Sequence, residues 1–119
     1  MPPTILVVDD EPEFLNTYRR LLARLGAHVV AADSRAAALA ALAREPFALV
    51  IADLRLPDGD GLDVVREARA AMRSTPAIVV SGFASKEARA AALQAGAADV
   101  FTKPFDAAAL AARVGEIIA

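Results

Sequence analysis

Five polar side chains in this 119-residue chain directly follow short apolar runs. Asp9 and Asp10 follow Ile5–Val8, Asp53 follows Leu49–Ala52, Ser81 follows Ala77–Val80, and Lys103 follows Asp99–Thr102. Brought together, the three carboxylates would repel one another, which raises carboxyl pKa values or demands a counter-charge. A divalent cation is the simplest remedy. Mg2+ (or Mn2+) suits an all-oxygen site, and Mg2+ uses one or two carboxylates, several waters and phosphate oxygen. Lys103 offers a point charge for a phosphoryl oxygen, and Ser81 offers a hydroxyl donor. A carboxylate nucleophile, a metal, an ammonium and a hydroxyl are the parts of phosphoryl transfer to an aspartate. Catalysis there is mainly positioning plus charge neutralisation. Asp53 is the expected nucleophile, because it ends the run Ala48–Ala52, which reads as the central buried strand. Asp9 and Asp10 lie where a strand gives way to a loop, a better position for holding a cation. Arg55, two residues past Asp53, can add its backbone carbonyl to that cation.

These residues converge only if the runs are neighbouring strands. The runs Ile5–Val8, Leu49–Ala52 and Ala77–Val80 are continuous rather than alternating, which suits strands buried on both faces of a parallel sheet. His28–Ala32 and Asp99–Thr102 complete five. Helical spacing fills the intervals. Phe14, Leu15, Tyr18, Leu21, Leu22 and Leu25 form a stripe that Gly26 stops. Ser34 or Asp33 caps a second helix, with Leu39, Leu42 and Ala43 on one face before Pro46. Gly61 opens a third with Leu62, Val65 and Ala68 inward. Ser85 starts a fourth that ends at Gly96. Asp106 caps a fifth with Leu110, Val114 and Ile117 or Ile118 on its stripe. Five βα repeats predict a doubly wound α/β fold, a five-stranded parallel sheet of order 2-1-3-4-5 with helices on both faces. Ligands in such folds bind at the carboxyl ends of the strands, near the order reversal between the first and third.

Composition bounds the alternatives. There is no cysteine, so thiol catalysis, thiolate zinc sites and disulfides are excluded. The net charge of -2 argues against a nucleic-acid-binding surface, which normally shows a basic stripe. No signal peptide and no membrane-length apolar run is visible, so a cytoplasmic location is expected. Thirty alanines favour helices and leave the core to fewer large residues. His28 is the sole histidine and stands away from the predicted strand ends, with nothing to pair with.

The motifs, taken together and in order, resemble the receiver domain of two-component response regulators, of the chemotaxis-regulator type, across residues 1–119. The matching residues are Asp9-Asp10, then Asp53-Leu54-Arg55-Leu56-Pro57 with Gly61, then Ser81-Gly82, then Phe101-Thr102-Lys103-Pro104-Phe105. The resemblance implies the flavodoxin-like fold and a role for each position. Asp53 matches the phosphoacceptor, and Asp9 and Asp10 match the metal-binding pair, with Arg55 giving its backbone carbonyl. Ser81 matches the switch hydroxyl, Phe101 the switch aromatic, and Lys103 the lysine that pairs with the phosphoryl group. The bond between Lys103 and Pro104 is expected to be cis. Arg55 and Phe83 flank the phosphoryl group and are rate-tuning positions. The implied function is a phosphorylation-dependent switch rather than an enzyme, with self-phosphorylation from small donors and slow self-dephosphorylation. The implied donor is a sensor histidine kinase or a histidine phosphotransfer protein. Its docking surface is expected at Pro12, Phe14, Leu15, Pro104 and Phe105. The implied output is the surface of the fourth helix, last strand and fifth helix, facing an effector domain or downstream protein. Dimerisation on phosphorylation stays open. The chain stops at Ala119 directly after the fifth helix, so no effector domain is expected within it.

Each feature also has a plain structural reading. Asp9-Asp10-Glu11 suits a helix start with Pro12 in its first turn, and Asp53 a turn rich in Pro, Asp and Gly. Ser81 reads as a helix cap, and Phe101 and Phe105 as core aromatics. Lys103 reads as a surface charge, although the chain uses Arg eleven times and Lys only twice. Three other functions fit the fold. A flavin carrier needs a phosphate-cradling first loop, which Asp9-Asp10-Glu11-Pro12-Glu13 opposes. An aspartate-nucleophile phosphatase or dehalogenase resembles an Asp-x-Asp arrangement, but position 55 is Arg. A binding module without phosphate chemistry usually lacks one of the site residues.

Overall fold

The computed structural model describes residues 2–71, 74–82 and 85–119. The strands are β1 (Thr4–Val8), β2 (His28–Ala32), β3 (Leu49–Ala52), β4 (Ala77–Ser81) and β5 (Asp99–Thr102). They form one sheet in the order β2-β1-β3-β4-β5, with every neighbouring pair parallel. The helices are α1 (Pro12–Ala23), α2 (Arg35–Arg44), α3 (Gly61–Ala70), α4 (Lys86–Gln94) and α5 (Ala107–Ile118). The predicted fold class and strand order are therefore the observed ones.

Successive side chains along a strand point to opposite faces, so the continuous apolar runs feed two cores. Ile5, Val7, Leu49, Ile51, Ile78 and Val80 pack on one side with Tyr18, Leu21 and Leu22 of α1 and Leu110 and Val114 of α5. Leu6, Val8, Val50, Ala52 and Val79 pack on the other with α2, α3 and α4. Local chemistry sets the helix ends. Ser34, Asp60, Ser85 and Asp106 each accept a hydrogen bond from a first-turn N–H, worth about 1 kcal/mol apiece. Helix α1 has no side-chain cap and opens on Pro12, whose missing N–H costs nothing there. Gly26, at φ +75°, closes α1: its N–H reaches the Ala23 carbonyl and that of Ala27 the Leu22 carbonyl.

Two local expectations change. The inner face of α2 is Ala38 and Ala41, while Leu39 and Leu42 are half-buried and Ala43 is exposed. Helix α2 packs on β1, β2 and α3, and small side chains take the innermost positions at i and i+3. The turn-rich loop after Asp53 also contains a short antiparallel ladder, Arg55–Leu56 with Gly59–Asp60. Among the described residues, no helix is long and apolar enough to cross a membrane.

Candidate functional site

Strand register brings the acidic residues together. Val8 lies beside Ala52, so the next residue of each strand, Asp9 and Asp53, leaves the sheet side by side. Backbone bonds continue the sheet one step further. Asp53 N–H donates to the Val8 carbonyl and Asp9 N–H to the Ala32 carbonyl, both at 3.0 Å. Ser81 lies beside Thr102, and Lys103 N–H donates to the Ser81 carbonyl at 2.9 Å. That bond aims the Lys103 side chain across the carboxyl edge toward β1 and β3.

Lys103 Nζ lies 2.7 Å from Asp53 Oδ2, 2.7 Å from Asp9 Oδ2 and 3.4 Å from Glu11 Oε1. The contact with Asp53 is a hydrogen bond, whereas Asp9 Oδ2 has close charge contact but no hydrogen-bond partner among the described residues. Asp9 Oδ1 accepts the Glu11 N–H at 3.0 Å, and Asp53 Oδ1 accepts the Arg55 N–H at 3.2 Å. Nζ also sits 4.2 Å from the centre of the Phe14 ring, a cation–π contact. Phe14 packs against Phe105, which stacks on Tyr18 beneath. The Lys103–Pro104 peptide is cis. Gly61 is required by close approach: a Cβ there would overlap the carbonyl oxygen of Asp53.

Burial decides the electrostatics. It raises the Asp9 carboxyl, against the opposing influence of the Lys103 ammonium and the Glu11 N–H. It would lower the Lys103 ammonium, but the contacts with the Asp53 and Asp9 carboxylates outweigh it and the net shift is upward. Burial, then the charges of Asp9, Asp53 and Glu11, push the Tyr18 phenol up.

One carboxylate oxygen from each of Asp9, Asp10, Glu11 and Asp53 lies within 4.8 Å of the others. Two like charges at that distance repel by on the order of 3 kcal/mol at an effective dielectric of 20. Four ionised carboxylates against one ammonium would leave three negative charges. A divalent cation reduces that to one. The donor set is all oxygen, and the buried Asp9 Oδ2 still lacks a hydrogen bond. Both features fit a hard cation such as Mg2+.

The cleft over these groups measures about 480 Å³ and is lined by Asp10, Glu11, Phe14, Asp53, Arg55, Ser81, Gly82, Lys103 and Pro104. Asp10 and Arg55 are exposed at its rim, Ser81 is buried in its wall, and Asp9 lies below it. Phe101 is half-buried and packs on the α1/α5 face of the sheet. Phe83 lies outside the described residues. Two contributors escaped the sequence reading. Glu11 joins the cluster, although its place next to Asp9-Asp10 was a usable signal. Phe14 touches the ammonium, a contact that no local spacing announces.

The chain spans 23% of the response regulator protein PilR of Pseudomonas aeruginosa, at 40% identity over 85% of this chain. It spans 44% of the transcriptional regulatory protein KdpE of Mycobacterium tuberculosis, at 43% identity over 85% of this chain. Among solved structures it is similar to the receiver domain of the sensor histidine kinase PA1611 from Pseudomonas aeruginosa, which holds a magnesium ion in its active-site cleft. The TM-score is 0.87 and the identity 31%, over 99% of this chain and 98% of that one. Residues 5–115 match the response regulator receiver domain family, and the chain belongs to it.

Proposed function

We propose that residues 1–119 are one receiver domain that takes a phosphoryl group on Asp53 and changes an output surface in response. The observation that carries this reading is the placement of Asp53. Its carboxylate is buried at the end of the central strand, in contact with Lys103 and grouped with Asp9, Asp10 and Glu11.

Asp53 Oδ attacks the phosphorus, an O–P bond forms, and the bond from phosphorus to the donor breaks. For a histidine donor that bond is N–P, and the leaving imidazole nitrogen keeps the electron pair. Asp9, Asp10 and Asp53 would hold Mg2+ or Mn2+ with the Arg55 carbonyl, and the cation would supply charge neutralisation. Lys103 shifts from two carboxylates toward the new phosphoryl oxygens, since it already lies 2.7 Å from Asp53 Oδ2. Ser81 donates its hydroxyl to the same group, and Phe101 turns further inward behind it. The displacement reaches α4, β5 and α5, the face offered to an effector or downstream protein. Phosphorylation adds charge of about -1.5 to -2 at neutral pH, enough to bias a two-state element. Arg55, exposed at the rim of the cleft, and the sequence candidate Phe83 tune the access of hydrolytic water.

The donor is a sensor histidine kinase or a histidine phosphotransfer protein, docking beside the site at Pro12, Leu15 and Pro104. Phe14 and Phe105, half-buried like Leu15, belong to the same docking surface. The location is cytoplasmic, where such donors present their phosphohistidine. Acetyl phosphate labelling with Mg2+ tests the reading. Asp53 is expected to take up one phosphoryl group in a chelator-sensitive reaction, and Asp53→Asn none. Equal labelling of the variant would overturn the assignment.

A further inference from the structure

The loop after Asp53 is tied to a distant helix. Asp58, at the tip of the short ladder Arg55–Leu56/Gly59–Asp60, reaches the start of α2. Its Oδ1 accepts the Arg35 N–H at 2.7 Å and its Oδ2 the Ala36 N–H at 2.9 Å. Ser34 Oγ takes the next donor, Ala37 N–H, at 3.1 Å. Helix α2 thus has two caps: its own Ser34, and a carboxylate from more than twenty residues away. Arg35 adds a side-chain tie, with Nε 2.8 Å from Asp63 Oδ2 at the start of α3. Gly59 completes the fit, since a Cβ there would lie 2.6 Å from Arg35 Cδ.

The two backbone donors hold the Asp58 carboxyl below the usual carboxylate range. The ionised form is therefore the one that grips α2. Helix dipole and hydrogen bonds act in the same direction. The other end of the loop is at the site. Arg55 N–H donates to Asp53 Oδ1, and Gly61 N–H donates to the Leu54 carbonyl at 2.8 Å. Residues 53 to 61 are thus fixed at the acidic cluster and at the tip.

We propose that Asp58 is a positioning residue: by anchoring the loop tip to the first turn of α2, it holds the Arg55 backbone over the acidic cluster. Asp58 is not among the residues that line the cleft and acts through the loop. The cation affinity of the cluster depends on this brace, because outer partners that orient ligands govern metal affinity. This inference rests on the proposed cation site.

The test compares Asp58→Ala with Ser34→Ala in the whole chain. Both remove a cap of α2, but only the first releases the loop. Calorimetric Mg2+ titration and amide hydrogen exchange are read on each. Asp58→Ala is expected to weaken Mg2+ binding by about 10-fold and to speed exchange at Arg55 and Gly61. Ser34→Ala is expected to leave both unchanged, and Asp58→Asn, keeping one acceptor, to fall between. Equal changes in the Ala variants would reduce Asp58 to a helix cap and overturn the proposal. So would unchanged exchange in Asp58→Ala. If the wild-type chain bound no Mg2+ or took no label on Asp53, the functional reading would fail, while exchange would still decide whether Asp58 braces the loop.

Discussion

On the β1/β3 side of the carboxyl edge, Asp9 and Asp53 stand on strands whose last four residues are buried without exception. On the α4 side, the helix that follows β4 buries only Ala92 and leaves Leu93 about half exposed, at 52%. The carboxylate half is preassembled: buried carboxylates, a lysine drawn across them, and a loop fixed at both ends. The α4 half is held by its Ser85 cap, a small-residue contact and the turn at Gly96. A reaction that depends on positioning gains from the first arrangement. An output surface of the kind proposed would gain from the second, because few apolar contacts would have to break for α4 to move.

This contrast should be visible in stability. Leu110, on α5, is fully buried with Tyr18 and Leu22 against β1 and β3. Leu110→Ala is expected to cost about 2–5 kcal/mol through lost burial and the cavity left behind. Urea unfolding measures it. A cost below that of any α4 substitution would break the comparison.

Asp9→Asn comes next, and its sign is opposite. Burial raises the Asp9 carboxyl, so the folded state binds its proton more tightly than the unfolded state does. The Asp9 contribution is favourable below the unfolded value and is lost as pH rises through the folded one. At neutral pH the ionised carboxyl therefore costs the fold stability, and Asn removes that cost while still accepting the Glu11 N–H. The expected result is a higher urea midpoint without Mg2+ and no further rise when Mg2+ is added. A variant that still gained stability from Mg2+ would remove Asp9 from the proposed cation site.

How much of this was readable in advance follows from range. Strand ends, helix caps and the convergence of Asp9, Asp53 and Lys103 follow from apolar runs and a topological rule, and both are local or general. Along α2, Leu39 and Leu42 pack against the core as their spacing implies, but spacing alone does not show that Ala38 and Ala41 lie deeper. In a chain with thirty alanines, the innermost positions go to the residue that lets elements approach. The grip of Asp58 on Arg35 and Ala36 was invisible, since nothing in Leu-Pro-Asp-Gly marks which distant amides it will meet. Gly61 was legible as a motif residue and a helix start. Only three-dimensional contact shows that the Asp53 carbonyl leaves no room for a side chain there.

The smallest effects belong to α4. Ala92→Gly removes a buried methyl and adds backbone freedom within the helix, together about 1–2 kcal/mol. Leu93→Ala should change stability by no more than about 0.5 kcal/mol, since the side chain is largely in water. The pair separates two accounts of this helix. If α4 is lightly held, Ala92→Gly will speed amide exchange along α4 alone and leave Mg2+ affinity intact, because the acidic cluster stands on β1 and β3. A Leu93→Ala cost comparable to that of Leu110→Ala would mean that α4 is anchored as firmly as α5. The preassembled and responsive halves of the edge would then not differ in the way their packing indicates.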